Sequence, residues 1–104
     1  MNRLLLASLF AVAAGSIAAQ AEQMTGYISE AHCGIAHSSV SEKNTACIKK
    51  CIGGGSQPVL VSEGKVIKFD AASQQKALAH VGEDVQIDGS MSGDAVTISS
   101  IEKK

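Results

Sequence analysis

The segment PVLVSEGKVIKFDAASQQKALAHVGEDVQIDGSMSGDAVTISSIE, residues 58–102, contains two pairs of strand patterns separated by one helix pattern. In the first pair, Val59–Val61 and Val66–Ile67 flank a tight turn at Glu63–Gly64, which is typical of a β-hairpin. Pro58 stands at the start of its strand, where a missing N–H group is tolerated. The first pair therefore predicts a hairpin over residues 58–69.

The second part of this segment predicts a helix followed by another hairpin. Residues 70–82 have the composition of a short helix, which Gly82 ends. Apolar and polar residues then alternate on both sides of a turn at Ser92–Asp94, and alternation with a period of two indicates strands. The segment thus has the order strand, strand, helix, strand, strand.

Two more elements precede this segment. MTGYISEAHC, residues 24–33, alternates imperfectly and is rich in β-forming residues, so it predicts a first strand. SVSEKNTACIKKCIGGG, residues 39–55, predicts a helix with Ser41 or Asn44 as its N-cap and three glycines at its end.

Five strands with a helix between the third and the fourth give the element order of the OB-fold. We therefore expect a mainly β chain: a small five-stranded OB-like barrel with a helical insert after strand 1 and a short helix between strands 3 and 4. The alternative is an open antiparallel sheet with two helices on one side.

Residues 1–21 have the pattern of a signal peptide. Arg3 precedes an apolar run from Leu4 to Ala14, and Ala19-Gln20-Ala21 provides an A-x-A cleavage site. The apolar run is shorter than the roughly 20 residues that span a bilayer. We expect a cleaved leader over 1–21, a single OB-like domain over 22–104, a periplasmic or secreted location, and no membrane anchor after cleavage.

Charge and aromatic content argue against nucleic-acid binding. The formal net charge of the chain is -1, and removal of Arg3 with the leader makes it more negative. Binding of single strands needs a basic groove with aromatic stacking platforms. Residues 22–104 offer only Tyr27 and Phe69 as aromatic side chains, so no nucleic-acid partner is expected.

All three cysteines lie in HCGIAHSSVSEKNTACIKKC, residues 32–51. An exported domain of this size often gains stability from a disulfide, so one is expected from Cys33 to either Cys47 or Cys51. Closing a loop of about 15 residues contributes about 3 kcal/mol in the chain-entropy model. One thiol is left over, and it either stays buried or links two chains in a disulfide-bonded dimer.

A metal site is the alternative role for the same segment. Cys33, His37, Cys47 and Cys51 form C-x3-H-x9-C-x3-C, and three thiolates with an imidazole suit zinc, while thiolates also suit cuprous copper. A third hypothesis is redox chemistry, because Cys47 lies near the start of its helix, where thiol pKa values fall. The C-x3-C spacing differs from the C-x-x-C of thioredoxin-like proteins.

The motifs of this chain resemble those of a family of small exported bacterial proteins, a domain-of-unknown-function family whose domain is an OB-like barrel. The resemblance rests on TGYISEAHCG, CIKKCI, PVLVSEGKVIKF and HVGEDVQIDGSMSGDAVTISSIE, above all on the Cys-Gly pair after strand 1 and the C-x3-C of the helix. It implies a single extracytoplasmic barrel and no reaction.

We therefore expect an exported binding or structural module with a disulfide-stabilised helical insert. The alternative is an extracytoplasmic protein that binds zinc or copper through Cys33, His37, Cys47 and Cys51. No enzyme is expected, because the chain has neither G-x-S-x-G nor H-E-x-x-H. Acidic residues such as Glu30 are interpreted as ordinary strand, cap and turn residues.

Overall fold

The computed structural model describes residues 22–37 and 39–104, apart from the side chain of His37. The predicted signal peptide over residues 1–21 lies outside the described residues. The elements in chain order are β1 (Glu22–Glu30), a 3₁₀ turn (Gly34–His37), α1 (Glu42–Gly53), β2 (Pro58–Ser62), β3 (Lys65–Phe69), α2 (Ala71–Leu78), β4 (Asp84–Ser92) and β5 (Ala95–Lys103).

The five strands form one sheet in the order β1-β2-β3-β5-β4, and β4 pairs back onto β1, so that the sheet closes on itself. β3 and β5 run parallel, and the other neighbouring strands are antiparallel. The prediction of a mainly β chain with five strands in one sheet and two helices is confirmed.

The β2–β3 hairpin has the turn that its sequence predicts. Glu63 and Gly64 have φ angles of 52° and 77°, so both residues occupy the left-handed region. Two left-handed residues between two strands are characteristic of a type I′ turn, whose twist matches that of the flanking strands. This local signal fixes the register of Val61 opposite Val66.

The main core fills the inside of the closed sheet. Helix α2 covers one end of this core. Its N-cap is Asp70, whose side chain accepts a hydrogen bond from the backbone N–H of Ser73. Phe69 is 4% exposed and belongs to this core, so it is not available as a stacking platform. The buried members of the core are Ile28, Leu60, Phe69, Ala77, Val85, Ile87, Val96 and Ile98.

A second, smaller cluster lies where α1 covers the outer face of the sheet. Ile48 of α1 packs with Tyr27 of β1 and Val61 of β2, and all three are buried. The Tyr27 hydroxyl is buried and has no hydrogen-bond partner. Residues 27–30 of β1 are therefore buried on both faces, which explains the imperfect alternation of this strand.

The first strand ends earlier than the sequence predicts. The prediction extended it to Cys33, but β1 stops at Glu30. Residues 31–33 form a turn, because the Glu30 carboxylate accepts hydrogen bonds from the backbone N–H groups of His32 and Cys33. An acidic side chain that bonds the backbone two and three residues ahead favours a turn over a strand.

No helix within the described part of the chain is long and apolar enough to cross a membrane.

Gly89 provides a test of the sheet. It lies at the irregularity in the β4–β5 pairing, and a Cβ atom at this position would collide with the backbone carbonyl of Thr97 on β5. We expect Gly89→Ala to lower the free energy of unfolding by about 1–3 kcal/mol, the usual cost of overpacking. Urea denaturation measures the change.

Gly53→Ala is the matched control for Gly89→Ala. Gly53 is the last residue of α1, and a Cβ atom there would meet no other atom within 4 Å. Alanine is the better helix former, so the control is expected to be neutral or to stabilise by up to about 1 kcal/mol. Equal losses in the two variants would contradict the proposed packing of β4 against β5.

Candidate functional site

The site is centred on the carboxylate of Glu30, the last residue of β1. Its side chain is fully buried. One oxygen, Oε1, accepts hydrogen bonds from the backbone N–H of His32 at 2.7 Å and from the Ser56 hydroxyl at 2.8 Å. The other, Oε2, accepts from the backbone N–H of Cys33 at 2.9 Å. The carboxylate thus ties the end of β1 to the following turn and to the α1–β2 loop.

These hydrogen bonds keep Glu30 ionised. Burial raises the pKa of the Glu30 carboxyl, but the hydrogen bonds from Ser56, Cys33 and His32 outweigh burial, so the pKa lies below its usual value. A buried negative charge therefore stands beside the thiol of Cys33, which donates a hydrogen bond to it.

Helix α1 supplies the other two thiols. It begins at Glu42 behind the N-cap Ser41, whose hydroxyl accepts from the backbone N–H of Asn44 at 3.0 Å. Buried Ile48 anchors the helix on the sheet. Cys47 and Cys51 flank Ile48 one turn apart, and residues four apart lie on the same face of a helix.

The end of α1 turns sharply back towards Glu30. The backbone N–H of Ser56 donates to the carbonyl of Cys51 at 3.0 Å, and Gly55 has a φ of 107°, which glycine adopts without strain. This turn places the Ser56 hydroxyl on Glu30 and holds the last turn of the helix, with Cys51, close to Cys33.

Three side chains meet as a result. The ligand atoms of Glu30, Cys33 and Cys51 all lie within 4.8 Å of one another. Cys47 is outside this group of three, but it lies one turn before Cys51 on α1, and its charge contributes to the raised pKa of the Cys51 thiol. We call Glu30, Cys33, Cys47 and Cys51 the thiol–carboxylate cluster. All three cysteines are half-buried.

The environment holds the thiols of Cys33 and Cys51 in their protonated form. Burial, the hydrogen bond to Glu30 and the charges of Glu30, Cys51 and Cys47 raise the pKa of Cys33 to about 11. Burial, the Glu30 charge and Cys47 also raise the pKa of Cys51. Thiols with a raised pKa are poor nucleophiles near neutral pH. The redox hypothesis placed Cys47 near the start of its helix, but Cys47 is the sixth residue of α1 and lies beyond the first turn. A cation that binds Cys33 and Cys51 has to displace their protons.

The structure brings together part of the metal set that the sequence predicted. The Sγ atoms of Cys33 and Cys51 lie within 4.8 Å of each other, and Cys47 lies one turn before Cys51 on the same face of α1. His37 lies at the end of the 3₁₀ turn, and its side chain is outside the described part of the structure. The sequence analysis missed Glu30, although its position three residues before Cys33 is the spacing of a side chain that caps a turn.

The predicted disulfide from Cys33 to Cys47 or Cys51 is not present, and all three cysteines are free thiols. The Sγ atoms of Cys33 and Cys51 are close, but the Cys33 thiol donates to the Glu30 carboxylate. Cys47 and Cys51 cannot pair with each other while α1 is intact, because its geometry keeps their Cβ atoms about 5–6 Å apart. The insert is instead held by Ile48 and by the Ser56–Glu30 hydrogen bond.

Cys51 also borders the surface. A shallow depression lies beside the cluster, lined by Ala31, His32, Cys51, Gly54 and Ser56. A larger groove of about 900 Å³ lies on another part of the surface, between α1, the α2–β4 loop and the C-terminal end. It contains no cysteine, and its charged residues are of both signs, including Glu42, Lys49, Asp84 and Lys103. The depression is bordered by Cys51, so it leads to the thiol–carboxylate cluster.

No family model matches this chain, and no curated protein or solved structure matches it significantly. The resemblance to exported proteins with an OB-like barrel stays a prediction, and the functional argument rests on the geometry of the cluster.

Glu30→Gln tests the role of the buried carboxylate. At pH 7 we expect a loss of about 1–3 kcal/mol in the free energy of unfolding, because an amide cannot accept all of these hydrogen bonds. The folded pKa of Glu30 is lowered, so its contribution is present above the unfolded pKa of about 4.3 and is lost as pH falls through the folded value. The difference in the free energy of unfolding between wild type and Glu30→Gln should therefore become smaller below about pH 4.

Urea denaturation at several pH values measures that gap. Glu102→Gln is the control, because Glu102 is exposed on β5. It should change stability by less than about 0.5 kcal/mol. A gap for Glu30→Gln that does not change with pH would contradict the assigned role of the carboxylate.

Proposed function

We propose that this chain is a small extracytoplasmic module that binds a thiophilic metal ion, zinc or cuprous copper, at the thiol–carboxylate cluster. The observation that carries the proposal is the convergence of Glu30, Cys33 and Cys51, whose ligand atoms lie within 4.8 Å of one another. Cysteine sulfur is a preferred ligand of both ions.

The spacing of these atoms favours a metal. With a Zn–S bond of about 2.3 Å, two sulfurs on one tetrahedral ion lie about 3.8 Å apart. The Sγ atoms of Cys33 and Cys51 therefore need at most a contraction of about 1 Å to share an ion. The ion replaces two thiol protons, so zinc leaves the net charge beside the buried Glu30 carboxylate unchanged, and a cuprous ion makes it more negative by one.

An OB-like barrel is the scaffold that we propose for this site. The closed strand order β1-β2-β3-β5-β4, the parallel contact of β3 with β5 and the position of α2 between β3 and β4 support this fold type. Binding sites need ligands held by rigid elements. Here Cys51 lies on a helix packed against the sheet, and the backbone N–H of Cys33 is bonded to Glu30 at the end of a strand.

The leader pattern over residues 1–21 supports a periplasmic or secreted location. Exported thiols tend to oxidise. A bound ion protects thiolates from oxidation by occupying their lone pairs. The proposal therefore accounts for three cysteines in a chain with this leader without a disulfide between them.

Native mass spectrometry with thiol alkylation tests this function. The chain is expressed with its own leader, purified without chelator, and compared with Cys33→Ser and Cys51→Ser. We expect one zinc or copper ion per native chain, three alkylated cysteines after unfolding, and loss of the ion in both variants. His80→Ala, which removes an imidazole paired with Glu83, is the control and should keep the ion.

Three outcomes would contradict metal binding. One alkylated thiol per chain with a mass two units light would show the intramolecular disulfide, and a covalent dimer would show that the odd cysteine links two chains. A metal-free protein with three reduced thiols, which also fails to bind added zinc or cuprous copper, would leave the cluster a structural feature only.

A further inference from the structure

The Glu30 carboxylate is already fully engaged by the protein. Oε1 accepts two hydrogen bonds, from the backbone N–H of His32 and from the Ser56 hydroxyl, and Oε2 accepts the backbone N–H of Cys33. If Glu30 turned to coordinate an ion, the two backbone N–H groups and the Ser56 hydroxyl would lose their acceptor. A buried donor without a partner costs about 1–3 kcal/mol. Glu30 is therefore suited to positioning the thiols and not to ligating an ion.

Cys47 is the next donor that the fold offers. Cys47 lies one turn before Cys51 on α1, so its side chain is beside that of Cys51. Cys47 and Cys51 share one face of α1, and Ile48 between them holds that part of the helix on the sheet.

On the basis of the proposed metal-binding function, we propose that the ion is cuprous copper, held by the three thiolates of Cys33, Cys47 and Cys51, and that Glu30 is a positioning residue. Structural zinc takes four protein ligands in a tetrahedron. Among the described side chains, no histidine joins Cys33 and Cys51 within 4.8 Å. Three sulfurs suit a soft monovalent ion, and thiolates select it.

Coordination of the ion exchanges protons and transfers no electrons. Each S–H bond that breaks releases its proton to solvent, and each sulfur donates a lone pair to the copper ion. Copper stays in the cuprous state throughout, and the thiolates are not oxidised.

X-ray absorption at the copper edge counts the ligands directly. The full chain, reduced and loaded anaerobically with one equivalent of cuprous ion, is expected to give three sulfur neighbours and no oxygen or nitrogen. Cys47→Ser should lose one sulfur, and Cys47→Ala should do the same. Circular dichroism of both variants checks that they fold.

Glu30→Gln separates positioning from ligation. We expect its sulfur count to stay at three, while competition with a cuprous chelator shows an affinity about 10–100-fold lower, as for other groups that orient metal ligands. A variant that folds and binds cuprous ion as tightly as the wild type would overturn the positioning role. Loss of an oxygen neighbour in Glu30→Gln would show that Glu30 is a ligand.

The outcomes distinguish this inference from the function on which it rests. If neither zinc nor cuprous copper binds, the proposed function fails. If an ion binds with two sulfurs, or Cys47→Ser leaves the sulfur count unchanged, metal binding stands and the three-thiolate site is wrong. Tighter binding of zinc than of cuprous copper in parallel chelator competitions would overturn the choice of ion.

Discussion

The buried carboxylate of Glu30 is the constraint on which the functional half of the molecule depends. It joins three segments that are distant in sequence: the end of β1, the turn with His32 and Cys33, and the α1–β2 loop through Ser56. A buried charge is tolerated only when hydrogen bonds compensate it, and here both oxygens are engaged. Its bonds stop the first strand and bring the thiol of Cys33 to the end of the helix that carries Cys51.

The closed sheet provides the rigid base for this arrangement. The inside of the sheet is filled by aliphatic side chains and Phe69, while α1 is attached to the outside through Ile48, Tyr27 and Val61. The thiols thus lie at the junction between the end of β1 and a helix that packs on the sheet. The candidate site therefore lies outside the main core and uses none of the residues that fill the inside of the sheet.

Much of the fold could be predicted from local sequence signals. The Glu63–Gly64 turn and the alternation of apolar residues around Ser92–Asp94 identify the two hairpins without tertiary information. The three glycines after Ile52 likewise identify the end of α1. The end of β1 was misplaced because it depends on a side chain that bonds to Ser56, which is 26 residues away. No periodicity in sequence contains that contact.

The site was predicted only in part for the same reason. Cysteine type and spacing predict that Cys33 lies near Cys47 or Cys51, but compartment and loop length favour a disulfide where the structure has free thiols. Glu30 was taken for an ordinary strand residue, because its burial follows from α1 and the α1–β2 loop folding over the end of β1. Local sequence therefore identifies the donors, and tertiary contacts decide how they are used.

The most direct test is NMR of the reduced chain loaded with one equivalent of an NMR-active cadmium isotope, a thiophilic probe whose couplings to cysteine Cβ protons identify each ligand. The account predicts that a single cadmium ion couples to Cys33, Cys47 and Cys51 together. If cadmium couples to none of the three cysteines, metal binding at this cluster is contradicted. Cβ chemical shifts typical of a disulfide in the protein as isolated would contradict it as well.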